Sequence, residues 1–172
     1  MLRRHVLAGL LALASLPAAA KSTVSDAPVW SGDYANDREP GVTVVRDPEE
    51  WASLWKFMLK ANPPQSLPPG FAGVVVRLGP RRTGGYGVEI LGHAGRECAY
   101  VVTYAEHEPA PGAFVTQAFT SPWAIALVPA GDQPVVLERA EKDGSRRIVI
   151  PQSEARRLAQ SGEACLGRLR QP

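Results

Sequence analysis

Histidine and cysteine, on which many catalytic and metal sites depend, are scarce in this sequence, with three and two among 172 residues. The chain also lacks a Gly-x-Ser-x-Gly elbow, a Gly-x-x-x-x-Gly-Lys phosphate loop and a His-Glu-x-x-His zinc motif. No pair of nucleophile and base can be proposed from the residues present. The sequence therefore predicts a protein that is not an enzyme, with no catalytic residues and no cofactor.

A metal site is also not expected. His93 and His107 are the two histidines beyond residue 20. Glu106-His107-Glu108 contains the right residue types, but neighbours on a strand point to opposite faces and cannot converge on one ion. Cys98 and Cys165 have no histidine near them at zinc-ligand spacing.

Beyond its first residues the chain has no excess of charge of one sign. Arg3 and Arg4 account for the whole net charge of +2, and the rest of the chain carries 17 basic and 17 acidic residues. Balanced charge gives no electrostatic reason to bind nucleic acid or anionic lipid. A nucleic-acid partner is therefore not expected.

Residues 1–20 have the pattern of a secretory signal peptide. Arg3-Arg4-His5 is a charged start, Val6–Leu16 is apolar, and Pro17–Ala20 ends in a small-x-small cleavage pattern. The apolar run is shorter than the ~20 residues that a membrane span needs, so we expect no stable anchor after cleavage; a retained anchor is the alternative. The mature protein is expected in the periplasm or secreted, by the Sec or the twin-arginine route.

Export bears on the two cysteines, because disulfides form and persist in oxidising compartments. A bridge between Cys98 and Cys165 would tie the C-terminal segment to a central strand. Two buried free thiols are the alternative.

The mature chain divides into a short arm and one domain. Residues 21–41 are polar and turn-rich, which predicts a loosely packed N-terminal arm pinned by Trp30 and Tyr34. Residues 42–172 are expected to form a single β-rich domain.

One amphipathic helix is predicted near the start of the domain. Asp47 before Pro48 is a strong helix start, since Asp caps free backbone N–H groups and proline suits the first turn. The following apolar residues recur on one face at helical spacing: Trp51, Leu54, Trp55, Met58 and Leu59. We interpret this face as core, with an aromatic ligand site as the alternative.

Short apolar segments separated by Gly, Pro or Asp predict strands. They lie at 42–45, 73–79, 86–92, 98–105, 114–120, 123–128, 135–139 and 146–150, and a short final helix is predicted at 153–160. The predicted class is α+β and mainly antiparallel β. We expect a sandwich-like or strongly curved sheet, with the amphipathic helix packed on it and the short helix at its C-terminal end.

Two short loops are the candidate binding residues. Thr83-Gly84-Gly85-Tyr86 and Thr120-Ser121-Pro122-Trp123 each end in an aromatic residue that opens a strand. Paired glycines before a strand mark an unusual φ or a close contact. We predict a partner-binding edge formed by Thr83, Gly84, Gly85, Tyr86, Ser121, Pro122 and Trp123. The alternative is that Tyr86 and Trp123 are core residues and the glycines only make a turn.

The order of several segments resembles the PrcB family, named for a subunit of a secreted bacterial protease complex. They are Trp51-Ala52-Ser53-Leu54-Trp55, Gly73–Gly79, Arg82–Ile90, Glu108-Pro109, Pro111-Gly112 and Thr120–Trp123. The resemblance covers roughly residues 42–129 and implies a protein that supports or binds a protease, not a peptidase. Residues from Val135 onward and the cysteine pair lie outside it.

The two loops are also similar in kind and order to those of chagasin-type inhibitors of papain-like cysteine proteases, although Arg81-Arg82 stand where those inhibitors have Asn-Pro. The expected function is an exported, protease-associated protein-binding domain. Two alternatives are a direct inhibitor of papain-like cysteine proteases, and an envelope module that binds a small ligand or polymer. In the latter, Trp51, Trp55 and the proline-rich loop after them would form a groove.

Overall fold

A computed structural model describes residues 27–37, 39–161, 165, 167 and 169. The predicted signal peptide at residues 1–20 lies outside these residues. The described elements are β1 (Val29–Gly32), β2 (Gly41–Val45), α1 (Pro48–Leu59), β3 (Ala72–Arg77), β4 (Gly87–Gly95), β5 (Tyr100–His107), β6 (Trp123–Val128), β7 (Val135–Ala140), β8 (Arg146–Val149) and α2 (Gln152–Gln160).

The strands form two four-stranded sheets that pack face to face. Their strand orders are β1-β6-β3-β2 and β4-β5-β7-β8. Neighbouring strands in these sheets are antiparallel except β5 and β7, which are parallel. Val74 and Val76 of the first sheet share a buried cluster with Val102 and Leu137 of the second. The structure confirms the predicted α+β, sandwich-like class.

The start of α1 follows from local sequence. Asp47 accepts hydrogen bonds from the backbone N–H groups of Glu49 (2.8 Å) and Glu50 (3.0 Å), and Pro48 occupies the first turn. Lys60 ends the helix in the left-handed conformation, with φ 54°. The helix therefore runs where its sequence signals predict.

The four tryptophans of the chain form one cluster between α1 and the outer face of the first sheet. The ring centroid of Trp55 lies 5.5 Å from that of Trp30, 5.6 Å from that of Trp51 and 6.2 Å from that of Trp123, each pair edge-on. Edge-on aromatic pairs add to the energy of burial. The apolar face of α1 is therefore core.

The described part of the N-terminal arm is attached to the first sheet and to α1. Val29–Gly32 is a strand that pairs with β6, and Trp30 joins the tryptophan cluster. The backbone N–H of Asn36 donates to the carbonyl of Met58 at 2.8 Å. The partly buried ring of Trp30 and the ladder to β6 hold this segment in place.

Residues 114–120 form a loop, where the sequence predicted a strand. Phe-Val-Thr-Gln-Ala-Phe-Thr has strand propensity, but this segment packs against the 83–85 turn and joins neither sheet. One isolated antiparallel bridge, between Arg81 and Thr120, is formed at its end. Tertiary contacts override local propensity here.

The C-terminal part covers the second sheet. Leu158 of α2 packs with Val101, Val136 and Cys165 in a third buried cluster. Cys98 and Cys165 form the predicted disulfide, with their Cα atoms 5.8 Å apart. Neither α1 nor α2 has the length and apolar character of a membrane span, and no other helix in the described part of the chain has them.

Candidate binding surface

Two connections between the sheets lie at the same end of the sandwich. Residues 78–86 join β3 to β4, and residues 108–122 join β5 to β6. Arg77 pairs with Trp123 and Gly87 pairs with His107, so both connections leave the sheets at this end. We call residues 81–86 and 108–121 together the loop face.

The two halves of the loop face are hydrogen-bonded to each other. The backbones of Arg81 and Thr120 exchange two bonds of 2.8 and 2.9 Å, and the N–H of Gly84 donates to the carbonyl of Thr116 at 2.8 Å. The hydroxyl of Thr120 also donates to the carbonyl of Thr83 at 3.0 Å. The loops are thus one preorganised unit, which lowers the entropic cost of binding.

Gly85 has both features that the paired glycines predicted, an unusual φ and a close contact. Its φ is +84°, and a Cβ at this position would lie 2.9 Å from Cγ1 of Val115 and 3.0 Å from Cβ of Pro109. Any larger residue would therefore meet both backbone strain and a steric clash. This glycine allows the long loop to lie directly on the short one.

Tyr86 is half-buried, so it is neither a fully exposed binding residue nor a fully buried core residue. It packs against the main core cluster. The guanidinium of Arg81 lies over its ring, 5.5 Å from the centroid, which is cation–π geometry. The ring of Tyr86 therefore contacts both the core and the guanidinium of Arg81.

The second predicted loop lies deeper than the first. Ser121 and Pro122 are buried, and the N–H of Ser121 donates to the carbonyl of Asp33 at 2.7 Å. Trp123 is 8% exposed, and its indole N–H donates to the carbonyl of Tyr34 at 3.1 Å. In this conformation these residues support the loop face and the preceding arm from below.

The most exposed aromatic residues of the loop face are two that the sequence did not single out. Phe114 is fully exposed and Phe119 is 74% exposed. The sequence does place a phenylalanine near each end of the segment between Gly112 and Pro122. Because the composition of this segment is typical of a strand, the two phenylalanines were assigned to a strand and not to a binding loop. Two large exposed apolar side chains on one loop make that loop a candidate interaction surface.

Ion pairs fasten the base of the long loop to the hairpin of β7 and β8. Glu108 binds the ammonium of Lys142 at 2.6 Å, and this hydrogen bond lowers the pKa of Glu108 below its usual value. Arg139 contacts both Glu106 (3.0 Å) and Glu141 (2.8 Å), which raises the pKa of its guanidinium further. Glu108 and Arg139 therefore stay charged at neutral pH, and their ion pairs help to hold the loop in place.

His107 was considered for a metal site, and Trp51 and Trp55 for a ligand groove. His107 pairs with Glu89 at 2.9 Å, and the described residues contain no group of three His, Cys, Asp or Glu that could hold a metal. The indole N–H of Trp51 donates to the carbonyl of Gln65 at 2.9 Å, so the proline-rich loop lies over this ring. Trp51 and Trp55 are both buried, as expected of core residues.

Comparison with known proteins identifies the segment that carries this surface. Residues 74–129 match the model of the family described as PrcB C-terminal. The match spans most of β3, all of β4 to β6 and the whole loop face, and it confirms the PrcB resemblance there. None of the comparisons shows the likeness to chagasin-type inhibitors. No curated protein and no solved structure matches the chain.

Proposed function

From the match of residues 74–129 to the PrcB C-terminal family model, we propose that this protein is a non-enzymatic, protease-associated subunit. It binds a protease or a protease precursor through its loop face. One observation carries the choice of surface. Two crossover loops, joined by backbone hydrogen bonds, display the exposed side chains of Phe114 and Phe119.

The energetics of interfaces support this surface. A few aromatic anchors usually supply most of the binding energy, and anchors on preordered loops lose less entropy when they bind. Phe114 and Phe119 are the anchors in this proposal. Thr83, Gly84 and Gly85 supply ordered backbone between them and Tyr86.

The predicted loop residues that are buried take a different role. Ser121 and Pro122 hold the end of the long loop, and Trp123 fixes it to the tryptophan cluster. Their contribution is to position the anchors. Loss of Trp123 would therefore weaken binding together with folding.

We also propose that the protein acts outside the cytoplasm. The signal-like pattern of residues 1–20 is one support for this proposal. The disulfide between Cys98 and Cys165 is another, because such bridges persist in oxidising compartments. A protease partner would accordingly be exported or anchored in the envelope.

The test is a crosslinked pull-down from the exported fraction of the source organism. The baits are the wild-type protein, the Phe114→Ala/Phe119→Ala variant, and a Phe57→Ala control. Phe57 is 67% exposed but lies on α1, away from the loop face. We expect the wild type and the control to capture a protease that mass spectrometry identifies, and the loop variant to lose at least about 90% of it. Equal capture by the folded loop variant would refute the loop face as the binding site.

A further inference from the structure

A cleft opens beside the loop face, between the ends of the two sheets. Its volume is about 360 Å³, and it lies between β2 of the first sheet and β8 of the second. Val42, Leu78 and Val149 contribute apolar surface. Four arginines also line it: Arg77, Arg81, Arg139 and Arg147. The cleft thus combines an apolar floor with a rim rich in hydrogen-bond donors.

Three of these guanidinium groups are already neutralised. Each binds a carboxylate within salt-bridge distance: Arg77 binds Asp37, Arg139 binds Glu106 at 3.0 Å, and Arg147 binds Glu141 at 3.1 Å. A ligand would have to compete with these carboxylates for the three arginines. These three arginines therefore form part of the cleft wall and are not the expected site for an anionic ligand.

Arg81 is the exception. It forms no salt bridge with any residue that the structure describes. Its Nη1 donates to the carbonyl of Pro80 at 3.1 Å, and its guanidinium rests over the ring of Tyr86. Glu108 interacts with Arg81 electrostatically, but its salt bridge is with Lys142. A guanidinium without a salt bridge is therefore held at the junction of the cleft and the loop face.

Tyr104 provides a second available donor. Burial is the main cause that raises its pKa to about 12, so the hydroxyl stays protonated at physiological pH. No hydrogen bond joins this hydroxyl to the rest of the described chain, and Tyr104 lines the cleft. The buried polar side-chain atoms without a partner in the described residues belong to Trp55, Arg77 and His93, so the Tyr104 hydroxyl is open to the cleft and available to an acceptor on a ligand.

The backbone of β2 offers the third element. This strand is the last of its sheet, and the carbonyl of Val44 accepts from the hydroxyl of Ser153 at 3.4 Å, so it faces away from β3. Val42 is two residues earlier, and its backbone groups face the same way. Because Val42 lines the cleft, a free strand edge borders it, and extended peptides add to such edges.

We propose that the cleft binds an extended peptide segment of the partner protein, whose carboxylate is held by Arg81 and Tyr104 and whose backbone lies along Val42. This inference rests on the proposed function for the source of the peptide. The single guanidinium without a salt bridge matches one negative charge, and the strand edge with its apolar floor suits a peptide better than a phosphate. Since Arg81 also packs on Tyr86, one partner can occupy the cleft and the loop face together.

The experiment titrates the full protein with the peptide acetyl-Thr-Val-Glu-Val-Thr-amide and with its Glu→Gln analogue, followed by amide chemical shifts. The Glu peptide should bind about tenfold more tightly, as one charge-assisted hydrogen bond allows, and should shift the amide of Val42. Arg81→Gln should remove this discrimination, and Tyr104→Phe should reduce it. Arg82→Gln changes the adjacent, exposed arginine, which does not line the cleft, and should behave as wild type.

Three results would overturn the proposal. They are equal affinity for the two peptides, unchanged discrimination in folded Arg81→Gln protein, and Glu-peptide shifts that exclude Val42. Displacement of the bound peptide by millimolar inorganic phosphate, with no discrimination between Glu and Gln, would identify a general anion site instead. The Phe114→Ala/Phe119→Ala variant should bind the peptide as wild type does. The hypothesis of peptide binding in the cleft can therefore be refuted independently of the hypothesis of protease binding at the loop face.

Discussion

Gly73 lies so close to the indole of Trp51 that a Cβ at this position would come within 2.7 Å of the Cε3 atom of the ring. Gly73 is in the middle of the first sheet, paired with both Val45 and Leu127. The missing side chain lets α1 lie directly on the strands. This contact sets the distance between the helix and the sheet that bears one end of each crossover loop.

We expect Gly73→Ala to lower the free energy of unfolding by about 1–3 kcal/mol, the usual cost of overpacking a core. Urea denaturation followed by tryptophan fluorescence measures it. Gly92→Ala is the control, since a Cβ at Gly92 would meet no atom within 4 Å. If both variants were equally stable, the close contact with Trp51 would not matter energetically.

The buried carboxylate of Glu154 depends on Arg46. Glu154 is 1% exposed, binds the Nε of Arg46 at 3.0 Å, and accepts the N–H of Val135 at 2.9 Å. Arg46→Met should cost about 3–5 kcal/mol because it leaves a buried charge unpaired. Arg46→Met/Glu154→Gln should recover part of that loss, whereas the exposed control Arg156→Met should stay within about 0.5 kcal/mol. A loss of under about 1 kcal/mol in thermal or urea unfolding of Arg46→Met would contradict this account.

The disulfide closes a long loop. Cys98 and Cys165 are 67 residues apart in sequence, and the chain-entropy model assigns about 4 kcal/mol to a loop of this length. The Cys98→Ala/Cys165→Ala variant should therefore unfold at a clearly lower urea concentration than the oxidised wild type. Reduced wild type should resemble the variant; a reduced protein as stable as the oxidised one would exclude a stabilising role for the bridge.

His93 makes stability depend on pH. Its Nδ1 lies 2.6 Å from the hydroxyl of Tyr100, and burial lowers its pKa below the usual 6.5. The unfolded chain then binds the proton more readily than the native state does, so stability is fully present above about pH 6.5 and falls as the pH is lowered through that value towards the folded pKa.

His93→Phe should consequently lose less stability than wild type when urea denaturation is compared at pH 7 and pH 5. His107 is present in both proteins, so it does not distinguish them. Parallel losses in the two proteins would show that His93 does not titrate on unfolding.

Local signals predicted much of the fold, and tertiary contacts decided the rest. Asp47 and Pro48 set the start of α1 through bonds within one turn, and the apolar run at Trp123–Val128 forms a strand with those limits. Residues 114–120 failed as a strand because their partners are Gly84 and Gly85, far away in sequence. The parallel pairing of β5 and β7 also has no local signature.

For the candidate site, the sequence predicted the position of the short loop but not which aromatic residues are exposed. The paired glycines located the short loop, since Gly85 has positive φ and a close neighbour. The sequence could not predict that Trp123 is buried and Phe114 exposed, because hydrophobicity alone does not distinguish a core aromatic ring from an exposed one. Burial of Trp123 follows from contacts with Trp55 and the arm, which only the folded chain assembles.

Site-specific photocrosslinking in the source organism tests the central claim most directly. A photoreactive phenylalanine analogue would replace Phe114, Phe119 or, as the control, Phe57, each of which is exposed. The account predicts that positions 114 and 119 both crosslink to the same protease or protease precursor and that position 57 does not. Crosslinks to a protease from position 57 but from neither loop position would contradict it.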